Sequence, residues 1–358
     1  MNNKFWKNKK ILVIGHTGFK GGWLTMVLNL LGAKVYGISL SPDSNPNFYT
    51  LSNLKKYLIK DKKINIENFK LLESEIKKIK PQIIFHLAAQ SKVRDSYIKP
   101  LDTIKTNTLG TANILEIFKK NKFIKSLLIT TTDKVYKNTN NKRFYRENDE
   151  LGGDDIYSAS KSSIEIITNS YVKSFFSKSL DRSVICLRAG NVIGGGDWAK
   201  DRIIPDCIKA IKKKKSIILR NPKSIRPWQH VLEPIIGYII TAEKIYNKKN
   251  ELGSSINFGP KRSNCVNVKK VADKLILNLK SKKKIIEKKS NDNFYEKKYL
   301  FLNSNKALKK IKWKSILTFE QTIKLTSDWY EKYFDGKNLE NFTIYQIQNY
   351  LSKFYEKK

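Results

Sequence analysis

The sequence has few of the residues that build disulfide frameworks and metal clusters. Its three cysteines, Cys186, Cys207 and Cys265, lie far apart along 358 residues. An odd number of widely spaced cysteines is typical of reduced thiols in the cytosol and argues against a disulfide framework or a zinc site. No cluster of metal ligands can be read from the sequence. We therefore expect a cytoplasmic protein without a metal centre.

Long apolar segments are also missing. No apolar run reaches the roughly 18 residues that a transmembrane helix needs. The first ten residues, MNNKFWKNKK, are basic and lead directly into a strand, without the apolar core of a signal peptide. We expect no membrane partner. A single core stops growing at roughly 250–300 residues, so a chain of 358 residues predicts one large domain and a smaller lobe.

Acidic residues are scarce relative to basic ones. The chain has 32 Asp and Glu against 70 Lys and Arg, a formal net charge of +38. Such a charge suggests nucleic acid as a partner. Here, however, most of the positive charge is lysine, spread over helical segments together with many Asn and Ile residues. Drift of solvated positions under A+T-rich coding explains this pattern, so we expect no nucleic-acid partner. The alternative to an enzyme is a nucleic-acid-binding or regulatory protein that keeps the fold of an enzyme without its chemistry.

Apolar strands and amphipathic helices alternate through the first half of the chain. Strands are predicted at 11–14, 33–39, 82–89, 126–132 and 183–192, and helices at 25–31, 72–80, 106–120 and 157–176. This alternation predicts an α/β fold with a doubly wound parallel sheet. After about Gly190 the pattern loosens into shorter elements. We predict a nucleotide-binding domain at 1–190 and a smaller, mainly substrate-binding lobe at 191–358, some segments of which return to the first domain.

Gly15, Gly18 and Gly21 form a G-x-x-G-x-x-G turn between the first strand and the first long helix. The free N–H groups and the dipole at a helix N-terminus suit a pyrophosphate, and glycines let the backbone approach it. Glycine turns are common, however, and the acidic residue that usually binds an adenosine ribose is missing. Ser39 stands at that position, at the end of the second strand. The turn alone leaves a dinucleotide site undecided.

Two further motifs support it. Tyr157 and Lys161 are four residues apart, so a helix places them on one face. The phenol of a free tyrosine has a pKa of about 10, and a neighbouring ammonium favours the phenolate. Upstream, Thr132 ends a predicted strand, and Asp133 and Lys134 follow it at the sheet edge where ligands bind. Each motif alone also fits a surface pair or a helix cap. Their combination with the glycine turn predicts an enzyme.

With these motifs, the sequence resembles the extended short-chain dehydrogenase/reductases of the NAD-dependent epimerase/dehydratase family. Within that family it is most similar to the 4,6-dehydratases of CDP-glucose. Lys20, Lys134 and the segment RPWQHV separate it from the more general epimerase pattern. The resemblance covers nearly the whole chain, in GHTGFKGGWL, HLAAQSKVRDSY, TTDKVY, YSASKSSIE, RAGNVIGGGDWAKDRIIPD, IRPWQHVLEP and NFGP. It implies a Rossmann-type domain with bound NAD and CDP-glucose as substrate. A dTDP-, GDP- or UDP-hexose dehydratase or epimerase is the alternative.

The resemblance also implies roles for the catalytic residues. Tyr157 takes the proton of the sugar C4 hydroxyl as hydride leaves C4, Lys161 holds the nicotinamide ribose, and Thr132 hydrogen-bonds the same oxygen. The 4-keto group acidifies the C5 proton, water is lost across C5 and C6, and hydride returns to C6. Asp133 fits the general acid for the C6 hydroxyl. Lys134 stands where related enzymes have Glu, which leaves the C5 base open.

Binding residues are implied in the same way. Tyr157 and Lys161 belong to the cofactor site, together with Gly15, His16, Thr17, Gly18, Phe19, Gly21, Asn65, Ile66, Ala88, Ala89, Gln90 and Asn107. Asn65 replaces the usual Asp, although its side-chain oxygen can still accept from an adenine amino group. NAD rather than NADP is implied by the family alone. Asn191, Arg202 and Arg226 are implied for the substrate, because guanidinium groups bind diphosphate oxygens in pairs. His86 and His230 are expected to be framework residues.

An oligomer is expected as well. The two helices that contain Asn107 and Tyr157 each have apolar residues on more than one face. In the Asn107 helix these are Leu109, Ile114, Leu115 and Ile117, and in the Tyr157 helix they are Ile164, Ile166 and Ile167. In the family these helices pair across a dimer axis as a four-helix bundle. We expect a homodimer or a dimer of dimers.

Overall fold

A computed structural model describes residues 2–179, 181–248, 251–288 and 299–356. Its strands are β1 (Lys10–Ile14), β2 (Lys34–Ser39), β3 (Lys60–Lys63), β4 (Ile83–His86), β5 (Ser126–Thr130), β6 (Phe144–Tyr145), β7 (Ser183–Ala189), β8 (Val192–Ile193), β9 (Ile217–Leu219), β10 (Ile225–Pro227), β11 (Gln229–His230), β12 (Ser255–Phe258), β13 (Cys265–Asn267), β14 (Ile285–Glu287) and β15 (Phe301–Leu302). Its helices are α1 (Asn3–Trp6), α2 (Phe19–Leu30), α3 (Phe48–Leu51), α4 (Phe69–Ile79), α5 (Val93–Ile98), α6 (Pro100–Ile104), α7 (Gly110–Lys120), α8 (Ile156–Tyr171), α9 (Ile203–Lys212), α10 (Leu232–Ile245), α11 (Val268–Asn278), α12 (Asn305–Ile311), α13 (Phe319–Phe334) and α14 (Leu339–Glu356).

Seven of the strands form one parallel sheet in the order β12-β7-β5-β4-β1-β2-β3. The order reverses between β1 and β4, which creates a crevice at the carboxyl ends of these strands. The predicted doubly wound parallel sheet is confirmed. Because β12 follows residue 190 and pairs with β7, part of the second half of the chain belongs to this sheet. The predicted division at 190 otherwise stays a prediction.

Both faces of the sheet are covered, as the continuous apolar strands predict. Along β1, Ile11 and Val13 pack into one core and Leu12 and Ile14 into the other. All four are fully buried. Burying an aliphatic side chain of this size stabilises the fold by roughly 1.5–3 kcal/mol. These strands therefore form a rigid base for the loops at their carboxyl ends.

Helix boundaries follow local signals. Helix α4 ends at Ile79, and Lys80 caps it with a left-handed φ of 50°, so the predicted stop before Pro81 is confirmed. The helix predicted at 106–120 is partly different, because a π-helical turn, Lys105–Leu109, joins α6 to α7. Such turns are frequent at functional sites. This one contains Asn107, whose side chain bonds the loop after β4.

Strand β3 was not predicted. Its sequence is KDKK, with no apolar alternation, and it pairs only on one side, with β2, at the edge of the sheet. Charged residues at a sheet edge hinder pairing with another chain. An edge strand made of such residues lacks the apolar alternation by which strands are predicted from sequence.

The region after residue 190 has short paired strands and long helices. Helix α10 packs on the sheet in the same core as Ile11, and the carboxylate of Glu233 on this helix accepts hydrogen bonds from the backbone N–H groups of Ile316 and Leu317. The indole of Trp23 in α2 donates to the carbonyl of Gly195 at 3.0 Å. Among the described residues, no helix is long and apolar enough to span a membrane.

Candidate active site

Two adjoining clefts open at the carboxyl ends of the strands. The glycine-turn cleft is lined by the turn after β1 and by the loops after β2, β3 and β4: Gly15, Thr17, Gly18, Gly21, Ser39 to Ser44, Asn65, Ile66, Ala88, Ala89, Lys92 and Lys161. The carboxylate cleft is lined by residues that follow β5 and β7 and by α9: Thr132, Asp133, Lys134, Asn191, Asp206, Arg220 and Arg226. Phe19, Lys20, Ser91, Thr131, Tyr157, Asp197 and Arg202 line both clefts and form their junction.

The glycine turn is shaped for close backbone approach. Gly15 has a φ of 95°, and a Cβ there would lie 2.5 Å from the backbone nitrogen of Ala88. A Cβ on Gly21 would lie 2.0 Å from the carbonyl oxygen of Gly15. Gly18 is exposed and begins α2 without a side chain to cap the helix. The helix N–H groups are therefore available to an anion in the cleft, and the turn fits a dinucleotide pyrophosphate.

Helix α8 brings Tyr157 and Lys161 to the junction. The side chain of Asp155 caps the helix by accepting from the N–H of Ser158 at 2.9 Å. Tyr157 and Lys161 are 8% and 5% exposed, and Lys161 Nζ lies 3.4 Å from the carbonyl oxygen of Thr130. Burial raises the pKa of Tyr157 to about 12, against a hydrogen bond with Thr132 and the charge of Arg202, which lower it.

The lysine of this pair has the opposite shift. Burial and the charge of Lys20 lower the pKa of Lys161 to about 7. Burial therefore disfavours both the phenolate of Tyr157 and the ammonium of Lys161. Changes in nearby charge alter the protonation of both groups.

Asp133 is the buried acid of the carboxylate cleft. It is 4% exposed, and Thr132 Oγ1 donates to its Oδ1 at 2.9 Å. Its Oδ2 has no hydrogen-bond partner among the residues that the structure describes. Burial raises the pKa of Asp133, opposed by Lys134, Thr132 and Arg226. The alternative that Asp133 caps a helix is wrong, because Thr132 caps the short turn that follows, by accepting from the N–H of Lys134.

The predicted substrate residues also line the carboxylate cleft. Arg202 Nη1 lies 3.0 Å from Asp197 Oδ2, and its Nη2 donates to Ser91 Oγ at 3.1 Å. Asp197 raises the pKa of Arg202, which keeps the guanidinium charged. Arg226 is 5% exposed on β10, and Asn191 follows β7. Arg202, Arg226 and Lys134 place positive charges among the carboxylates of this cleft, and such groups suit a diphosphate.

Lys20 was noted in the sequence without a role. It lies in the first turn of α2 and reaches the junction of the two clefts. Burial and Arg202 lower its pKa to about 8, while Asp133 and Asp197 act in the opposite direction. Asp197 and Ser91 were not predicted. Asp197 stands in a glycine-rich loop and Ser91 directly follows Gln90, and neither position has a local signal that distinguishes it from an ordinary loop residue.

Three of the predicted cofactor residues do not face the cleft with their side chains. The ring of His16 is fully buried and points away from the cleft, with Nε2 3.0 Å from Asp61 Oδ1. Of the predicted cofactor site, His16 can therefore contribute its backbone and not its ring. Asn107 is also fully buried and bonds the backbone N–H and carbonyl of Gln90 at 2.9 and 3.0 Å. The amide of Gln90 in turn bonds the backbone of Lys92, so both residues shape the cleft wall.

The two histidines predicted to be framework residues, His86 and His230, lie in the interior. His86 Nε2 is 2.9 Å from Thr111 Oγ1, and burial lowers its pKa to about 3. His230 is fully buried, and burial lowers its pKa to about 3 as well. Both rings are neutral at physiological pH. Over the described part of the chain, no group of three or more His, Cys, Asp or Glu side chains is arranged to hold a metal ion.

A doubly wound sheet, a glycine turn at its switch point, a buried Tyr–Lys pair and a buried carboxyl group together define a nucleotide-binding enzyme of the dehydrogenase type. Comparison with known proteins gives the family. The sequence model of the family described as GDP-mannose 4,6 dehydratase matches residues 12–326. The chain therefore belongs to this family of sugar-nucleotide 4,6-dehydratases, as the sequence motifs predicted.

Individual relatives agree with the family. The chain is 36% identical over 356 residues to the CDP-glucose 4,6-dehydratase of Salmonella typhimurium, which covers 98% of this chain and 99% of the relative. Among solved structures, the dTDP-glucose 4,6-dehydratase of Bacillus anthracis in complex with NAD has a TM-score of 0.76 at 24% identity, over 92% of this chain and 98% of that one. The UDP-glucose 4-epimerase of Thermotoga maritima has a TM-score of 0.78 at 21% identity, over 91% and 99%. The two structures show that the fold is shared.

Proposed function

We propose that the protein is an NAD-dependent CDP-glucose 4,6-dehydratase, which converts CDP-glucose into CDP-4-dehydro-6-deoxyglucose and water. The similarity to the Salmonella enzyme over nearly the full length of both chains supports the substrate. The structural observation that supports the reaction most is the buried, protonatable Asp133 beside Thr132 and Tyr157. An oxidation at C4 needs Thr132 and Tyr157, whereas only loss of the C6 hydroxyl needs an additional acid.

The glycine-turn cleft supplies the groups that would hold NAD. The start of α2 would hold the pyrophosphate, Asn65 and Ile66 would hold the adenine, and Ala88 and Ala89 would contact the riboses; the residues named here all line this cleft or begin the helix beside it. Lys161 would hold the nicotinamide ribose. When bound, NAD accepts a hydride from the sugar and later returns it. We propose NAD as the resident cofactor on the fit of these residues and on the family.

Tyr157 and Thr132 act on the C4 hydroxyl. The Tyr157 phenolate takes the hydroxyl proton, and Thr132 hydrogen-bonds the same oxygen. The hydrogen bond with Thr132 and the positive charge of Arg202 favour the phenolate, against the burial that disfavours it. Since Tyr157 lines both clefts, a sugar in one and a dinucleotide in the other would meet beside it.

Asp133 acts at C6. Its carboxyl group gives a proton to the departing hydroxyl while a base removes the C5 proton, so that water leaves and a double bond forms between C5 and C6. The base returns a proton to C5 when the hydride adds to C6. Lys134 and Lys20 are the lysines that line the carboxylate cleft near this acid, and the C5 base is to be sought between them. The proton taken by Tyr157 is available to restore Asp133 after each turnover. Arg202, Arg226 and Asn191 would bind the CDP diphosphate and the sugar.

We also propose a homodimer formed through the helices that contain Asn107 and Tyr157. Several apolar side chains on this side of the molecule are exposed: Ile98 by 72%, Leu101 by 68%, Leu109 by 53% and Ile166 by 57%. Ile114, Leu115, Ile117 and Ile164 are buried in the monomer core, so they do not contribute. A second copy covering the exposed set across a two-fold axis would remove this apolar surface from water.

The function is tested by offering the purified protein CDP-, dTDP-, GDP- and UDP-glucose separately. The 4-keto product is followed by its ultraviolet absorbance after alkali treatment. We expect turnover with CDP-glucose to exceed turnover with the other three. Preference for another nucleotide would replace the substrate but keep the reaction. A product with inverted C4 and no loss of water would identify an epimerase.

A further inference from the structure

A buried ion pair lies beneath the active site. Tyr157, Lys161 and Glu165 follow one another at intervals of four residues, so they share one face of α8. Glu165 is 4% exposed, and each of its two carboxylate oxygens lies 2.9 Å from Nε of Arg188. Arg188 Nη2 donates to the same carboxylate. Thr131 Oγ1 donates to Glu165 Oε1 at 2.6 Å.

This carboxylate joins the elements that hold the candidate catalytic groups. Thr131 follows β5 and directly precedes Thr132. Arg188 lies on β7, three residues before Asn191, and its Nη1 bonds the hydroxyl of Tyr136 at 2.5 Å. Glu165 thus links α8, which contains the Tyr–Lys pair, to two strands. Through Thr131 it is joined to the end of β5, next to Thr132, and through Arg188 it is joined to β7, which leads to Asn191.

Stability alone does not account for such a pair. Two charges lose their hydration on burial, and replacing a buried ion pair by apolar residues is often neutral or stabilising. Here the pair is satisfied on every side, since both oxygens of Glu165 and the three guanidinium nitrogens of Arg188 have partners. A fully bonded network of this kind allows one arrangement of the groups attached to it.

We propose that Glu165, held by Arg188, is a positioning residue that acts through Thr131 to fix the distance between the hydroxyls of Thr132 and Tyr157. The two hydroxyls must meet one sugar oxygen in the transition state, and a misplacement of about 1 Å at such a site costs on the order of 100-fold in rate. The inference rests on the proposed function, in which Thr132 and Tyr157 bind the C4 oxygen.

The test uses Thr131 because removing either charge of a buried pair can unfold the protein. Thr131→Val keeps the shape of the side chain and removes only the hydrogen bond to Glu165, while Thr131→Ser keeps the hydroxyl. Thr241→Val is the control, since Thr241 is a fully buried threonine on α10 whose hydroxyl donates to the carbonyl of Gly237 in its own helix. Turnover, KM for CDP-glucose, the rate of nicotinamide reduction in a single turnover and the melting temperature are measured for each.

We expect Thr131→Val to lower kcat and the rate of nicotinamide reduction by about tenfold, to leave KM within twofold, and to lower the melting temperature by no more than Thr241→Val. Thr131→Ser should restore kcat to within about threefold of the wild type. A kcat of Thr131→Val within twofold of the wild type overturns the inference. Equal losses in the Val and Ser variants, or a change in KM alone, overturn it too. Absence of turnover by the wild type overturns the proposed function itself.

Discussion

Replacing Asp133 by Asn separates oxidation from elimination. Asn keeps the size of the side chain and can still accept from Thr132 Oγ1, which lies 2.9 Å from Oδ1. It cannot give a proton to the C6 hydroxyl. General acid catalysis is typically worth 10²–10⁴-fold in rate, about 3–5 kcal/mol, so we expect turnover to fall by that factor while CDP-glucose still binds. Because C4 oxidation does not need Asp133, reduced nicotinamide and 4-ketoglucose should accumulate.

The same substitution has a predicted effect on stability. The pKa of Asp133 is raised in the folded protein because the group is buried, so the folded state binds its proton more tightly than the unfolded state does. Ionisation of Asp133 therefore lowers the free energy of unfolding. This loss grows as pH rises from about 3.9, the ordinary pKa of Asp, through the raised pKa of the folded state. Asp133→Asn should be more stable than the wild type at pH 7, and this advantage should shrink near pH 4.

The assay is the nicotinamide absorbance after mixing with CDP-glucose, together with thermal unfolding at several pH values. The variant is expected to show a slow or absent return of the reduced cofactor to its oxidised form. Turnover within a few-fold of the wild type would refute Asp133 as the acid, and Lys134 would be the next group to test.

Other variants give simpler outcomes. Tyr157→Phe should show no reduced nicotinamide at all, measured by the same absorbance. Lys161→Met should abolish turnover yet raise the melting temperature at pH 6. Burial lowers the pKa of Lys161 to about 7, so below that pH the folded protein contains a buried charge that destabilises it. Equal melting temperatures of the variant and the wild type would contradict this. Gly21→Ala should lower NAD affinity at least tenfold and cost about 1–3 kcal/mol in stability, measured by calorimetry and denaturant unfolding, because its Cβ would overlap the turn. Leu109→Glu should convert a dimer into a monomer in sedimentation, whereas Leu277→Glu should not, although Leu277, on α11, is 65% exposed against 53% for Leu109.

The parts of the site that the sequence predicted are those with a local signal. The glycine turn, the Thr-Asp-Lys segment and the Tyr–Lys pair each belong to one short stretch of chain, at a strand end or on one helix face. Parallel topology then brings them to one edge of the sheet without further information. The roles of these residues came from the family resemblance. The residue types alone did not assign a role to Asp133 or Lys134.

The parts that were missed depend on contacts between distant segments. His16 stands inside the glycine turn, yet its ring is directed inward by Asp61 on β3, a strand that the apolar pattern could not identify. Asp197 and Ser91 are joined at the site by Arg202, which bonds both. Such pairings are fixed by tertiary packing, and a single sequence has no pattern that reports them.

The most direct test of the account is the fate of the hydrogen at C4. CDP-glucose labelled with deuterium at C4 is converted by the purified protein, and the product is examined by mass spectrometry and NMR. The account predicts one deuterium in the C6 methyl group of CDP-4-dehydro-6-deoxyglucose, because the hydride removed beside Tyr157 returns to the same sugar. Deuterium retained at C4 of an inverted hexose, or lost from the product altogether, would contradict it.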